Sequence, residues 1–147
     1  RKDTTTMTSN NNNNCNCNNI HRFSRAHFIA DANLAKVTSR VKNGVPKTVL
    51  VPGTEGKQYQ VILWRSGGTI EVGCWLQTHG GPIICKGNKW VCYHALAAVI
   101  ATAKEKGYCV SIAESEADAK RLANLGGSVF TVKLYKMDEH KLWLVVV

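Results

Sequence analysis

Acidic residues are scarce in this sequence. Ten Asp and Glu stand against nineteen Lys and Arg, for a net charge of +9. A surface that cannot neutralise itself points to an acidic partner, with nucleic acid the commonest. Long apolar runs are also missing. None approaches the roughly 18 residues that a bilayer-spanning helix requires, so no membrane is expected as a partner. No basic-then-apolar leader follows Arg1, so no secretory signal is expected in this stretch. The chain does not open on Met, and its natural start is expected upstream. No Gly-rich loop closing on Lys-Ser or Lys-Thr follows any β-rich run, so a P-loop nucleotide site is not expected. Aromatics make up only 7% of the residues, yet four of them are Trp.

What is present fits one domain. A chain of 147 residues, 44% of them apolar, can bury a modest core. The charge is uneven along it. Residues 1–47 hold eight Lys or Arg and two Asp, whereas residues 108–147 hold five of each sign. The basic front and neutral back favour a nucleic-acid partner on one side.

Residues 1–19 are Thr-rich, then Asn-rich from Asn10 to Asn14. Such a stretch buries too little apolar surface to offset its ordering entropy and reads as a disordered tail. Cys15 and Cys17 within it read as free thiols. Residues 20–43 carry Ile20, Phe23, His27, Ala30, Leu34, Val37 and Val41 at spacings of three and four, the pattern of an amphipathic helix. Asn43-Gly44 is expected to cap it and Pro46 to prevent its resumption. Arg22, Arg25, Lys36 and Arg40 would then form one basic face, with His27 packing on the apolar one.

Strand patterns follow. Thr48–Val51 is a short run closed by Pro52-Gly53. The runs 59–64 and 69–76 flank Ser66-Gly67-Gly68 and predict a hairpin. A loop from His79 to Cys85 leads to an Ala- and Leu-rich helix from Cys92 to Lys104, stopped by Gly107. A shorter helix is predicted to Leu125, capped at either Ser111 or Ser115. Phe130, Val132 and Leu134 alternate as a half-buried strand does, and 142–147 completes a second hairpin. Cys109, at the head of another short strand, is expected in the core.

The six Cys could suggest disulfides, but nothing marks secretion and three of the Cys cluster with a His. That pattern fits metal binding in a reducing, intracellular compartment. Cys92-Tyr93-His94 opens a helix, Cys85 lies seven residues upstream, and Cys74 eleven before that. Zinc prefers thiolate and imidazole in a tetrahedron. A hairpin end, a loop and a helix start can supply these ligands if Cys92 occupies the non-helical cap position, where the helix N-terminus also favours thiolate.

The segment from about Tyr59 to Ala103 resembles the SWIM zinc finger, a small ββα module with Cys-x-Cys, a variable gap, and Cys-x-His at the start of an Ala/Leu-rich helix. Cys92-Tyr93-His94-Ala95-Leu96-Ala97 and the strand pair leading into Cys74 carry the resemblance. Leu76 stands where the second Cys of Cys-x-Cys is expected. Cys85 is therefore the first choice for the fourth ligand, and His79 the second. A closed site of four such ligands reads as structural. Glu71 is the single carboxylate nearby along the segment, so a catalytic zinc is not expected.

The resemblance implies a zinc-stabilised module linked to DNA and protein binding. The expected fold is α+β: a ββα zinc-finger-like unit with an added helix and a C-terminal β-hairpin, preceded by an amphipathic helix, within one domain over residues 20–147. The expected function is nucleic-acid binding through phosphate contacts with little sequence preference. Arg22, Arg25, Lys36, Arg40, Lys42, Lys86 and Lys89 are the candidate contacts, and Trp90 reads as a packing residue before the helix. The rival expectation is a protein-assembly subunit that uses the N-terminal helix.

Overall fold

A computed structural model describes residues 15–85, 91–135 and 141–147, with side chains from Phe23 onward. Helix α1 spans Cys15–Asp31. It begins five residues before the expected start, so residues 15–19 belong to it, whereas the tail over 1–14 lies outside the described residues. Its end corrects the expectation of a helix to residue 43. Asn33 takes a left-handed conformation (φ 58°), its N–H bonds to the Ala30 carbonyl, and the Leu34 N–H reaches back to Ile29 at 3.0 Å. These paired bonds form a Schellman cap, for which Asn can replace Gly. Lys104 Nζ donates to the Asp31 carbonyl at 3.2 Å, a cation placed at the negative end of the helix dipole.

Beyond the cap the chain turns to strand: β1 (Lys36–Arg40), β2 (Pro46–Pro52), β3 (Gln58–Ser66), β4 (Thr69–Leu76) and the two-residue β5 (Ile83–Ile84). Asn43-Gly44 does not cap a helix but turns the β1–β2 hairpin, with Gly44 at φ 87°. Helix α2 runs Tyr93–Glu105, then β6 (Val110–Ala113), α3 (Glu116–Ala123), β7 (Ser128–Leu134) and β8 (Leu142–Val146). Ser115, not Ser111, caps α3 by accepting from the Asp118 N–H at 3.1 Å. The segment between β7 and β8 at 136–140 lies outside the described residues.

The strands form one mixed sheet in the order β1-β2-β3-β4-β7-β8-β6, so the fold is α+β. Every pairing is antiparallel except β4 with β7, and β5 lies beside the far end of the same β4 edge. Strand alternation sends Val61, Leu63, Val72, Val132 and Leu144 to one face, the face on which α2 packs against β2, β3 and β4. Helix α2 is buried from His94 to Ile100 because the sheet lies on one side and the Ala26, Ile29 and Ala30 face of α1 on another. His27 is partly buried, with Nε2 3.1 Å from the Val110 carbonyl oxygen. The alternate residues Val129, Trp143 and Val145 pack against α3 on the opposite face. Cys109, expected in the core, is exposed, although its backbone pairs with Val147. No helix among the described residues is long and apolar enough to cross a membrane.

Candidate metal centre

Three segments converge on one buried point. Cys74 lies on β4, on the face toward α2 and opposite Val61 of β3. Strand β5 pairs Ile84 with Trp75 and Ile83 with Leu76, and the next step of that register brings Cys85 beside Cys74. The Cys85 N–H donates to the Cys74 carbonyl at 3.0 Å. Cys92 has extended backbone (φ −75°, ψ 167°) and is the N-cap of α2, which leaves His94 in the first helical turn facing the same point.

The ligand atoms of Cys74, Cys85, Cys92 and His94 all lie within 4.8 Å of one another, and all four residues are buried. Cys85 Sγ is 3.9 Å from His94 Nδ1. Zinc bonds of about 2.3 Å to sulfur and 2.0–2.1 Å to nitrogen give a tetrahedron with edges of roughly 3.6–3.8 Å. The cluster has nearly this size. His79, the second choice for the fourth ligand, is exposed in the turn before β5 and does not join the group.

The electrostatics of these side chains fit a metal. The Cys74 thiol is pushed far up by hydrogen bonding with Cys85, then by Cys92 and by burial. For Cys92 the hydrogen bond with Cys74 acts downward, but Cys85 and burial outweigh it and hold the thiol up at about 11. Three thiolates cannot share one buried space unless a cation neutralises them. A dication would supply that charge, and ionised sulfurs are what it binds. His94 Nδ1 is the ring nitrogen that faces Cys85, whereas Nε2 lies toward Gly53 and is buried with no hydrogen-bond partner. The donor set and its spacing thus fit a thiolate-binding metal ion.

Aromatic rings enclose the imidazole. Tyr59 stacks on His94 with centroids 3.7 Å apart, and Tyr93 lies 4.0 Å away. Burial, foremost, raises both phenols. The Arg25 guanidinium sits 5.3 Å from the Tyr93 centroid. Gly53 permits the close approach: a Cβ there would lie 2.4 Å from Tyr59 Cε1 and 3.5 Å from His94 Nε2. Sequence reasoning missed Tyr59, Tyr93 and Gly53 as neighbours of the site. Tyr59 shares the strand face of Val61, two residues on, but nothing local marks Gly53. Glu71 projects from the other face of β4, where it pairs with Lys133 at 3.9 Å.

The basic residues are dispersed rather than aligned. Lys36 and Arg40 lie on β1, not on the helix that carries Arg25, and Lys42 is in the β1–β2 turn. The expected helical stripe of Arg22, Arg25, Lys36 and Arg40 is therefore not formed. Arg40 makes two 2.8 Å contacts with the Glu105 carboxylate. The Arg22 side chain, Lys86, Lys89 and Trp90 lie outside what is described. Comparison with known proteins places no constraint on these residues: no family model, no curated protein and no solved structure matches the chain.

Proposed function

We propose that this chain is a basic binding module built around a structural zinc ion, and that it binds nucleic acid through phosphate contacts with little sequence preference. The observation that carries the zinc reading is the buried Cys3His cluster at the head of α2. Its soft, closed donor set suits tetrahedral zinc better than the harder cations that prefer oxygen. A ββα unit of SWIM type is consistent with the order of β3, β4 and α2, with Cys85, just after β5, replacing the absent second Cys of Cys-x-Cys. Residues Cys74, Cys85, Cys92 and His94 would hold the ion, whose role is to tie the hairpin, the loop and the helix together.

Nucleic acid is favoured as the partner by the +9 charge and by the exposure of Arg25, Lys36 and Lys42. The free thiols at the site suit a reducing, intracellular setting. The rival reading, a protein-assembly subunit, has one observation in its favour, the exposed Phe28 on α1. The Ala26, Ile29 and Ala30 face that it would use is already packed inside the chain.

Metal analysis of the purified chain tests the first part, with one zinc per chain expected. Fluorescence anisotropy with single- and double-stranded DNA and RNA tests the second. Binding at roughly 50 mM salt should weaken steeply as salt rises, alike for all sequences. Arg25→Glu with Lys36→Glu should reduce it for every sequence. Absence of binding to all four probes at low salt would decide for a protein partner.

A further inference from the structure

The other end of α2 overlies a cavity of about 380 Å³. Helix α2 contributes Val99, Thr102, Ala103 and Lys106, spaced as one helical face. The sheet contributes Leu63 from β3, Ile70 from β4, Phe130 from β7 and Leu144 from β8, all on the side that faces α2. The cavity sits where α2 reaches its C-cap at Lys106, and Val110, Phe130, Leu144 and Val146 of β6, β7 and β8 line it. Helix α3 cannot fill the space, since it packs on the opposite face.

The chemistry of the lining is polarised. The walls are mostly apolar, with Tyr108 and Ser128 also present, and no Asp or Glu is among them. Thr102 is buried and donates its hydroxyl proton to the Ala98 carbonyl at 2.9 Å, so the interior offers no free donor there. Two lining residues are cations, Arg65 and Lys106, and both are exposed, which places them at the solvent side. Neither lies within ion-pair distance of a carboxylate among the described residues, whereas Arg40 is held by Glu105. Pockets for small ligands occupy about 300–1,000 Å³, are mostly apolar, and orient their ligand with a few polar groups. This cavity lies at the small end of that range, with its charge gathered at the mouth.

We propose that this cavity binds a small amphiphile with one anionic head, its alkyl or aryl body between α2 and the sheet and its carboxylate on Arg65 and Lys106. The site is separate from the Cys3His cluster, shares no residue with it, and does not depend on nucleic-acid binding.

Calorimetric titration of the full, metal-loaded chain with dodecanoate, below its micelle concentration, tests this. One-site binding is expected. Affinity should rise about three- to fourfold for each methylene across octanoate, decanoate and dodecanoate. The double variant Arg65→Gln, Lys106→Gln should lower dodecanoate affinity by about tenfold and should not affect dodecanol, since loss of a charge-assisted contact touches the head alone. Val146→Phe, which fills the cavity from a half-buried strand position, should abolish binding while leaving the metal content unchanged. No binding of dodecanoate by the native chain overturns the proposal. So does an affinity that both sets of variants leave unchanged, because the fatty acid would then sit elsewhere.

Discussion

The two ends of α2 are buried by opposite means. At the N-terminus the space between helix and sheet is filled by four potential ligands and two tyrosine rings, and one imidazole nitrogen is left without a partner. At the C-terminus the space is lined by aliphatic groups and left open, with cations at its rim. The first end is crowded and polar, with three thiols and an imidazole in one buried space. The second is apolar and loosely filled, and its cost is lost packing rather than unmet charge. One helix thus links a cluster whose donors could hold an ion to a cavity lined by aliphatic groups.

The largest test of this contrast bears on the proposed zinc. Structural zinc supplies about 10–16 kcal/mol of apparent binding free energy at neutral pH, comparable to or above the stability of a whole domain. Chelation or Cys92→Ala should therefore abolish cooperative thermal unfolding followed by circular dichroism. Acid should act in the same direction, because protonated thiols release metal. A metal-free chain that still melts cooperatively would break the comparison.

The next test truncates the apolar end. Leu144 is fully buried and lines the cavity. Leu144→Ala should lower unfolding free energy in urea by about 2–5 kcal/mol, toward the upper part of that range because an existing void gives the site little to collapse onto. Metal stoichiometry should stay at one. If it falls, the two ends are coupled through α2 rather than independent.

A smaller effect is expected at Gly53. Adding a methyl group there drives it into the Tyr59 ring. Gly53→Ala should cost about 1–3 kcal/mol through overpacking. Unlike the Leu144 variant, it should also weaken metal retention in a chelator competition, since Tyr59 stacks on His94.

The smallest effect concerns the exposed pair Arg40–Glu105. Its hydrogen bonds with Arg40 hold the Glu105 carboxyl below its ordinary value. A depressed carboxylate stabilises the fold above its unfolded pKa and loses that contribution as pH falls through the folded one. A side-chain NMR titration should place the Glu105 midpoint below that of a free carboxylate, and Arg40→Gln should restore it. A midpoint that Arg40→Gln does not move would show that the pair is not held in solution.

The central third of the fold was legible in the sequence because its signals agree with one another. Alternating β-branched residues flank Gly67-Gly68, and an Ala-rich run opens at Cys92 and closes at Gly107. The clustering of Cys74, Cys85, Cys92 and His94 could be proposed from spacing alone, and the structure gathers those four. The region from Asn33 to Gly44 misled, because its residues satisfy two periods at once. Leu34, Val37 and Val41 continue a helical stripe, yet Lys36–Arg40 alternates well enough to pair with β2. Asn-Gly serves both as a helix stop and as a hairpin turn, and tertiary pairing chose the second. Asn33 held the true stop, but a lone Asn is a weak signal. Cys85 was chosen on chain distance, whereas its placement comes from β5, a strand of two exposed isoleucines too short to read in advance.

The single parallel pairing in the sheet bears on how the chain reaches this structure. Strands β1 to β4 form successive hairpins, whose partners meet across short stretches of chain and can zip early. Strands β6, β7 and β8 form a second antiparallel group. The junction between β4 and β7 joins Thr69 to Thr131, so closing it must order the long intervening segment that contains α2. On topological grounds that junction is expected to close last. Cys74 lies on one side of it and Cys92 and His94 on the crossing segment, so an ion captured there shortens the loop still to be closed. Metal should then speed folding as well as stabilise its product, by turning one distant search into two nearer ones.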